Sequence, residues 1–157
     1  MAATDAVTIR PVKRHVALQP LSRDHHVALV AAQRLRRAAD DDAAAARDAF
    51  LAFWHEHGAH HFRVEEEVLL PAFADHGDPE EACVVRMLVD HVRIRAQVQR
   101  LEREPTASTE SLHALGTALE RHVRLEEREV FGLIEEALPL DAAEALVEAV
   151  LRAERSP

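Results

Sequence analysis

Residues 61–71 read HFRVEEEVLLP, and residues 122–132 read HVRLEEREVFG. In each stretch a glutamate follows a histidine at four residues: His61 with Glu65, and His122 with Glu126. On a helix that spacing sets both side chains on one face, one turn apart. In both stretches this is the apolar face. A carboxylate is costly there unless a cation or a set of donors compensates it. Neither apolar seam offers a lysine or an arginine. A bound metal ion is the obvious compensation.

Working outward, an Asp-His pair precedes each stretch: Asp24-His25 before the first and Asp90-His91 before the second. The chain therefore reads as a pseudo-repeat of helix pairs. A 3-4 spacing of apolar positions supports four long amphipathic helices. The first, from about Pro20 to Ala39, has the seam Leu18, Leu21, His25, Ala28, Ala32, Leu35. The second, about 43–69 and stopped before Pro71, has Phe50, Phe53, His57, His61, Val64, Val68. The third starts at Asp78-Pro79-Glu80-Glu81, a cap, a proline and an early acid, and ends near Glu104. Its seam is Val84, Met87, His91, Ile94, Val98, Leu101. The fourth, about Thr109 to Ala137, has Leu115, Leu119, His122, Glu126, Val130, Leu133. Each seam carries a histidine near mid-length. Short loops between long helices predict an all-α, up-down-up-down four-helix bundle. A short fifth helix, about 142–154, follows Pro139 and is capped by Asp141 with Glu144. Residues 1–17 read as an irregular lead-in and 18–157 as one helical domain.

Composition agrees. The chain has 157 residues, 48% hydrophobic, with 4 Gly and 7 Pro. It is long enough to bury a core without a disulfide or metal. A net charge of −9 argues against a nucleic-acid partner. No segment is apolar for long enough to serve as a signal peptide or to span a membrane. The lone Cys83 excludes an intrachain disulfide and a multi-cysteine zinc site, and reads as a small packing residue in a reducing, cytoplasmic setting. There are 11 His and no Tyr, which excludes tyrosyl-radical chemistry.

Pairing the two halves brings His25, His61, His91 and His122 with Glu65 and Glu126 to one level of the bundle. Two carboxylates can bridge two ions while imidazoles cap each one. Imidazole and carboxylate suit Fe or Mn. One tetrahedral Zn uses only four of the six groups. The ligand types leave Fe and Mn open, with Zn less suited.

The stretch from His61 to Pro71 resembles the HxxxEExxxxP signature of hemerythrin-like, HHE cation-binding domains. With Asp24-His25, Asp90-His91 and His122-x-x-x-Glu126-Glu127 it is similar to the family order H, HxxxE, H, HxxxE over about residues 18–137. The resemblance implies a non-haem di-iron site that binds O2 or reacts with O2-derived species. It implies His25, His61, His91 and His122 as terminal ligands and Glu65 and Glu126 as bridges. The O2-carrying members have a second histidine four residues after the third helix's ligand. Here that position is Arg95, which counts against reversible O2 carriage.

Three functions follow. The leading one is a di-iron protein that binds O2 or senses oxygen or iron, with O2 or a small oxidant as its partner. The second is an enzyme using the same centre on peroxide, O2 or NO. The third is a structural metal-binding or interaction bundle. A sensor needs a protein partner that the sequence does not identify. His26 competes with His25 as ligand, and the Asp-His symmetry favours His25. His57, one turn before His61, is a possible further ligand or a residue lining the open position beside the metal. Glu66 and Glu127 face outward or anchor a ligand imidazole. Trp54 and Phe50 read as core, His60 as flanking or surface, and His15, His55, His76 and His113 as solvated.

Overall fold

The computed structural model describes residues 13–156. Among them there are no strands, and five helices account for nearly all the regular structure. They are α1 (Gln19–Arg36), α2 (43–74), α3 (Ala82–Arg103), α4 (109–137) and α5 (Leu140–Glu154). The first four pack in a ring, α1 on α2, α2 on α3, α3 on α4 and α4 back on α1, as an up-down-up-down bundle. The predicted lead-in, residues 1–17, falls mostly outside the described residues.

The chain's own chemistry sets the helix ends. Arg34 and Arg36 lie in the last turn of α1, where cations oppose the helix dipole. Ser108 caps α4 by accepting the Ser111 N–H at 3.1 Å. Two expected starts move, those of α3 and α5. Asp78 accepts the Glu80 N–H at 2.8 Å in a turn of its own, so α3 begins four residues later, at Ala82. Asp42 occupies the cap position of α2, but its carboxylate accepts the Ala39 N–H instead. Pro139, not Asp141, is the cap of α5.

The largest departure is inside α2 and α4. Helix α2 does not stop before Pro71. It widens into π turns at Trp54–Gly58 and Glu65–Leu69 and continues to Ala74. Helix α4 has one π turn, Glu126–Val130. In these turns the N–H bonds five residues back: Ala59 to Trp54, Leu70 to Glu65 and Phe131 to Glu126. In a regular helix a proline ring collides with the carbonyl four residues back. The wide turn ahead of Pro71 opens that space.

Each π turn also advances the register by about one residue. Phe50, Trp54, His61, Glu65, Leu69 and Phe73 are buried in α2, while Phe53 and Val68 are only half-buried. In α4 the inward position after Val130 is Ile134 rather than Leu133. The seams expected for α1 and α3 are buried at every position.

The core has two halves. One contains Leu35, Phe50, Trp54, Leu101, Leu115 and Leu119. The other contains Leu21, Leu69, Phe73, Met87, Phe131 and Ile134, and takes in Leu146 and Val150 of α5. Gly116 permits the closest approach of α1 and α4. A Cβ there would lie 2.7 Å from the Ala32 carbonyl oxygen.

Candidate metal centre

Six side chains lie where the two halves of the core meet. α1 supplies His25 and α3 supplies His91. α2 supplies His61 and Glu65, and α4 supplies His122 and Glu126. Among the described residues these six are the buried polar or charged side chains, none more than 7% exposed. Groups of this kind are almost never fully buried unless paired or bound to metal.

The Nε2 atoms converge on the two carboxylates. His61 Nε2 is 3.0 Å from Glu65 Oε1, and His122 Nε2 is 2.9 Å from Glu126 Oε1. The other two histidines cross between the halves. His25 Nε2 lies 2.9 Å from Glu126 and 3.7 Å from Glu65. His91 Nε2 lies 3.3 Å from Glu65 and 3.4 Å from Glu126. Two overlapping sets of four result: His25, His61, Glu65, Glu126 and Glu65, His91, His122, Glu126. Within each set the ligand atoms lie within 4.8 Å of one another.

These atoms are close but not aligned as hydrogen bonds. All four Nε2 atoms and all four carboxylate oxygens of Glu65 and Glu126 are buried without a hydrogen-bond partner. Unmet polar groups cost free energy, and a cluster of them needs an explanation. A donor set of imidazole nitrogens and carboxylate oxygens fits a first-row transition cation.

The model of the hemerythrin HHE cation-binding domain matches residues 16–134. The chain belongs to that family. Neither a curated protein nor a solved structure matches it.

In this HHE domain, protons compete with the cation. Burial opposes charge on His25, but the carboxylates of Glu126, Glu127 and Glu65 outweigh it and raise its pKa well above the ordinary imidazole value. By the same contest His61 is raised to about 9, through Glu65 and Asp24, and His91 to about 11, through Glu126, Glu65 and Glu66. For Glu65, burial and the Glu126 charge push upward, but His61 and His25 win and hold the carboxyl low. Glu126 is held well below the carboxylate range in the same way, against its burial, by His122, His25 and His91. Metal-free, His25, His61 and His91 favour their protonated forms beside the Glu65 and Glu126 carboxylates. Any cation that enters must displace those protons.

The far nitrogens have carboxylate neighbours of their own. His25 Nδ1 is 2.6 Å from Glu127, and His91 Nδ1 is 2.7 Å from Glu66. His61 Nδ1 is 3.2 Å from Asp24, and His122 Nδ1 is 4.0 Å from Asp90. A carboxylate at Nδ1 fixes the tautomer that offers Nε2 inward and raises its basicity. Two arginines extend the pattern. Arg95 donates to both oxygens of Glu66, at 3.1 and 3.2 Å, and lies over the Phe62 ring, which stacks on His91. Arg14 donates to Glu127 at 3.0 Å and lies over Phe131, which stacks on His25. Arg95 thus holds an anchor in position rather than supplying a nitrogen to the centre.

The HHE domain separates the remaining histidines. His26 is exposed, and His25 is the one turned inward. His57 does not share the column of His61 and Glu65. The π turn at 54–58 rotates it outward, leaving its side chain 55% exposed and 3.9 Å from Glu56. It does line a cavity of about 90 Å³ that reaches His25, His61, His122 and Glu126 between Val27, Trp54 and Leu119. His113 is not simply solvated: its Nε2 lies 2.7 Å from the Ala38 carbonyl and donates to it. His15 is half-buried, with Nδ1 accepting the Ala17 N–H. His55 and His76 are exposed, and His60 is half-buried. Asp24 and Asp90 were visible in the sequence only as Asp-His doublets, whereas Glu66 and Glu127 were already candidates to anchor a ligand imidazole. Arg14 carried no signal, since its partner lies 113 residues away. Among the described residues no helix is long and apolar enough to cross a membrane.

Proposed function

We propose that this HHE domain is a di-iron protein in which Glu65 and Glu126 bridge two ions. His25 and His61 complete one ion's ligand set, and His91 and His122 complete the other's. The observation that carries this reading is that the two four-residue sets share both carboxylates. A single zinc leaves two buried histidines without a role. Two ferrous ions held by these residues would supply electrons to a small oxidant such as O2 or peroxide. The chain's own residues do the rest. Glu66 and Glu127 hold the Nδ1 protons of His91 and His25. Phe62 and Phe131 cover those rings and limit water. The 90 Å³ cavity admits a molecule of a few atoms and excludes an organic substrate, whose pockets run to roughly 300 Å³ or more. A sensor or binder of O2 is the reading these features support best.

A second reading is turnover of peroxide, O2 or NO at the same centre. It is favoured by His57, a titratable side chain on the cavity wall. The test is anaerobic loading with ferrous iron followed by air, monitored by absorption. Visible bands that appear and then reverse on removing O2 support binding. Bands that form irreversibly, with oxidant consumed over many cycles, support turnover. No change in the spectrum contradicts both.

A further inference from the structure

The outer face of α3 breaks the pattern of the surrounding surface. Val85, Leu88, Val89 and Val92 follow i, i+3, i+4, i+7 spacing and are 44%, 38%, 40% and 67% exposed. Val84, Met87, Ile94 and Val98 on the opposite face are buried. Over this stretch α3 is apolar on both faces, as in a helix packed on both sides. Single exposed apolar side chains are ordinary, but three valines and a leucine on adjacent turns form a patch.

A groove of about 360 Å³ runs along one edge of this patch, between α3 and α4. Five arginines line it, 86, 93, 121, 124 and 128, against the two carboxylates of Asp90 and Glu129. This sits on a chain whose net charge is −9. Val89 lies on one ridge with Arg86 and Arg93, three residues after the first and four before the second. Both arginines are mostly exposed, with only long contacts to Glu129 at 4.0 Å and Asp90 at 3.9 Å. Arg124 is taken by Glu120. Among the described residues Arg121 and Arg128 form no ion pair.

We propose that this face docks an acidic amphipathic helix of a partner protein. Its apolar ridge would lie on Val85, Val89 and Val92, and its carboxylates would face Arg86, Arg93, Arg121 and Arg128. Charge complementarity selects this occupant. A second copy is disfavoured, because two-fold antiparallel pairing of α3 about the point between Val89 and Asp90 sets Arg86 of one copy against Arg93 of the other. The surface touches the metal centre through one side chain: Asp90 lines the groove and lies 4.0 Å from His122 Nδ1. The inference stands whatever metal is bound.

The test uses the full chain and a fluorescent designed helix with leucines at i, i+3, i+4, i+7 and glutamates elsewhere. Its controls are a scrambled peptide and the lysine counterpart. The acidic helix should bind and weaken with added salt. Val89→Asp should weaken it about tenfold or more, and Arg93→Glu with Arg121→Glu should transfer preference to the lysine peptide. Unchanged helical signal and metal content in these exposed-site variants separate lost docking from lost fold. Equal binding of the scramble, or an affinity that survives Val89→Asp, overturns the proposal. So does self-association that Val89→Asp abolishes, or binding to phosphatidylserine vesicles without binding to the peptide.

Discussion

Helices α1 and α3 are regular along their whole length, whereas α2 and α4 widen into a π turn whose first residue is Glu65 or Glu126. The regular pair contributes one buried histidine each. The widened pair contributes a histidine and two consecutive glutamates, and those glutamates act on a histidine of the regular pair. Glu65 and Glu66 approach the two nitrogens of His91, at 3.3 and 2.7 Å. Glu126 and Glu127 approach the two nitrogens of His25, at 2.9 and 2.6 Å. His61 of α2 leans on Asp24 at 3.2 Å, while His122 Nδ1 of α4 has no hydrogen-bond partner, with Asp90 4.0 Å away. The π turn is therefore part of the site. It aims two neighbouring carboxylates at one imidazole and returns the rest of the helix to the core. Regular helices provide position, and widened ones provide the grip.

Deleting one residue from each kind of helix should split them most sharply. Removing Arg93 from α3 turns everything after it by about 100°. Ile94, Val98 and Leu101 then leave the core, each at about 1.5–3 kcal/mol. That chain should lose its cooperative thermal transition in circular dichroism. Removing Glu129 from the π turn of α4 should let Val130 and Ile134 face inward in regular register. The bundle should fold, while the Glu126–Glu127 grip on His25 fails and metal affinity drops. Equal damage from both deletions would show that the wide turn is an accident of packing.

The same contrast governs what was legible in the sequence. Every seam position of α1 and α3 could be read from a 3.6-residue period, and so could the six residues that meet at the centre. After the π turns the period misassigned Val68 for Leu69 and Leu133 for Ile134, and it brought His57 inward when it faces out. No residue type marks a π turn. It arises because Glu65 and Glu126 must reach across the bundle while their helices still bury Phe73 and Ile134. Arg14 and Arg95 were illegible for a related reason, since their roles depend on partners that only the fold brings near.

A pH titration of the metal-free protein sharpens the comparison next. Imidazoles with raised pKa values stabilise the fold fully below their unfolded value near 6.5, and this contribution is lost as pH rises through their folded values. For His61 that loss is complete near pH 9, and for His91, on a regular helix, near pH 11. The depressed carboxyls of Glu65 and Glu126 contribute above about 4.5, and this is lost in acid. Metal-free stability should therefore peak between about pH 4.5 and 6.5 and decline toward alkali. The loaded protein should already lose stability as pH falls below neutral, where the metal-free protein does not, because it releases metal as the imidazoles regain protons. Histidine NMR signals should show His61 losing its proton before His91. The opposite order would contradict the tighter grip on the α3 histidine.

A smaller effect probes the frame that holds α1 and α4 together. Gly116→Ala forces its new methyl against the Ala32 carbonyl and Leu35 Cβ. It should destabilise the bundle by about 1–3 kcal/mol with metal content unchanged. Gly132→Ala, where a Cβ meets nothing within 4 Å, should not destabilise it.

The most direct test is the metal-to-protein ratio after anaerobic loading with ferrous iron and removal of excess, measured by elemental analysis on wild type, Glu65→Ala and His76→Ala. Because Glu65 belongs to both ligand sets, its loss should empty the whole centre. The account predicts two irons per chain in wild type and His76→Ala and almost none in Glu65→Ala. One iron per chain in wild type, still retained by Glu65→Ala, would contradict it.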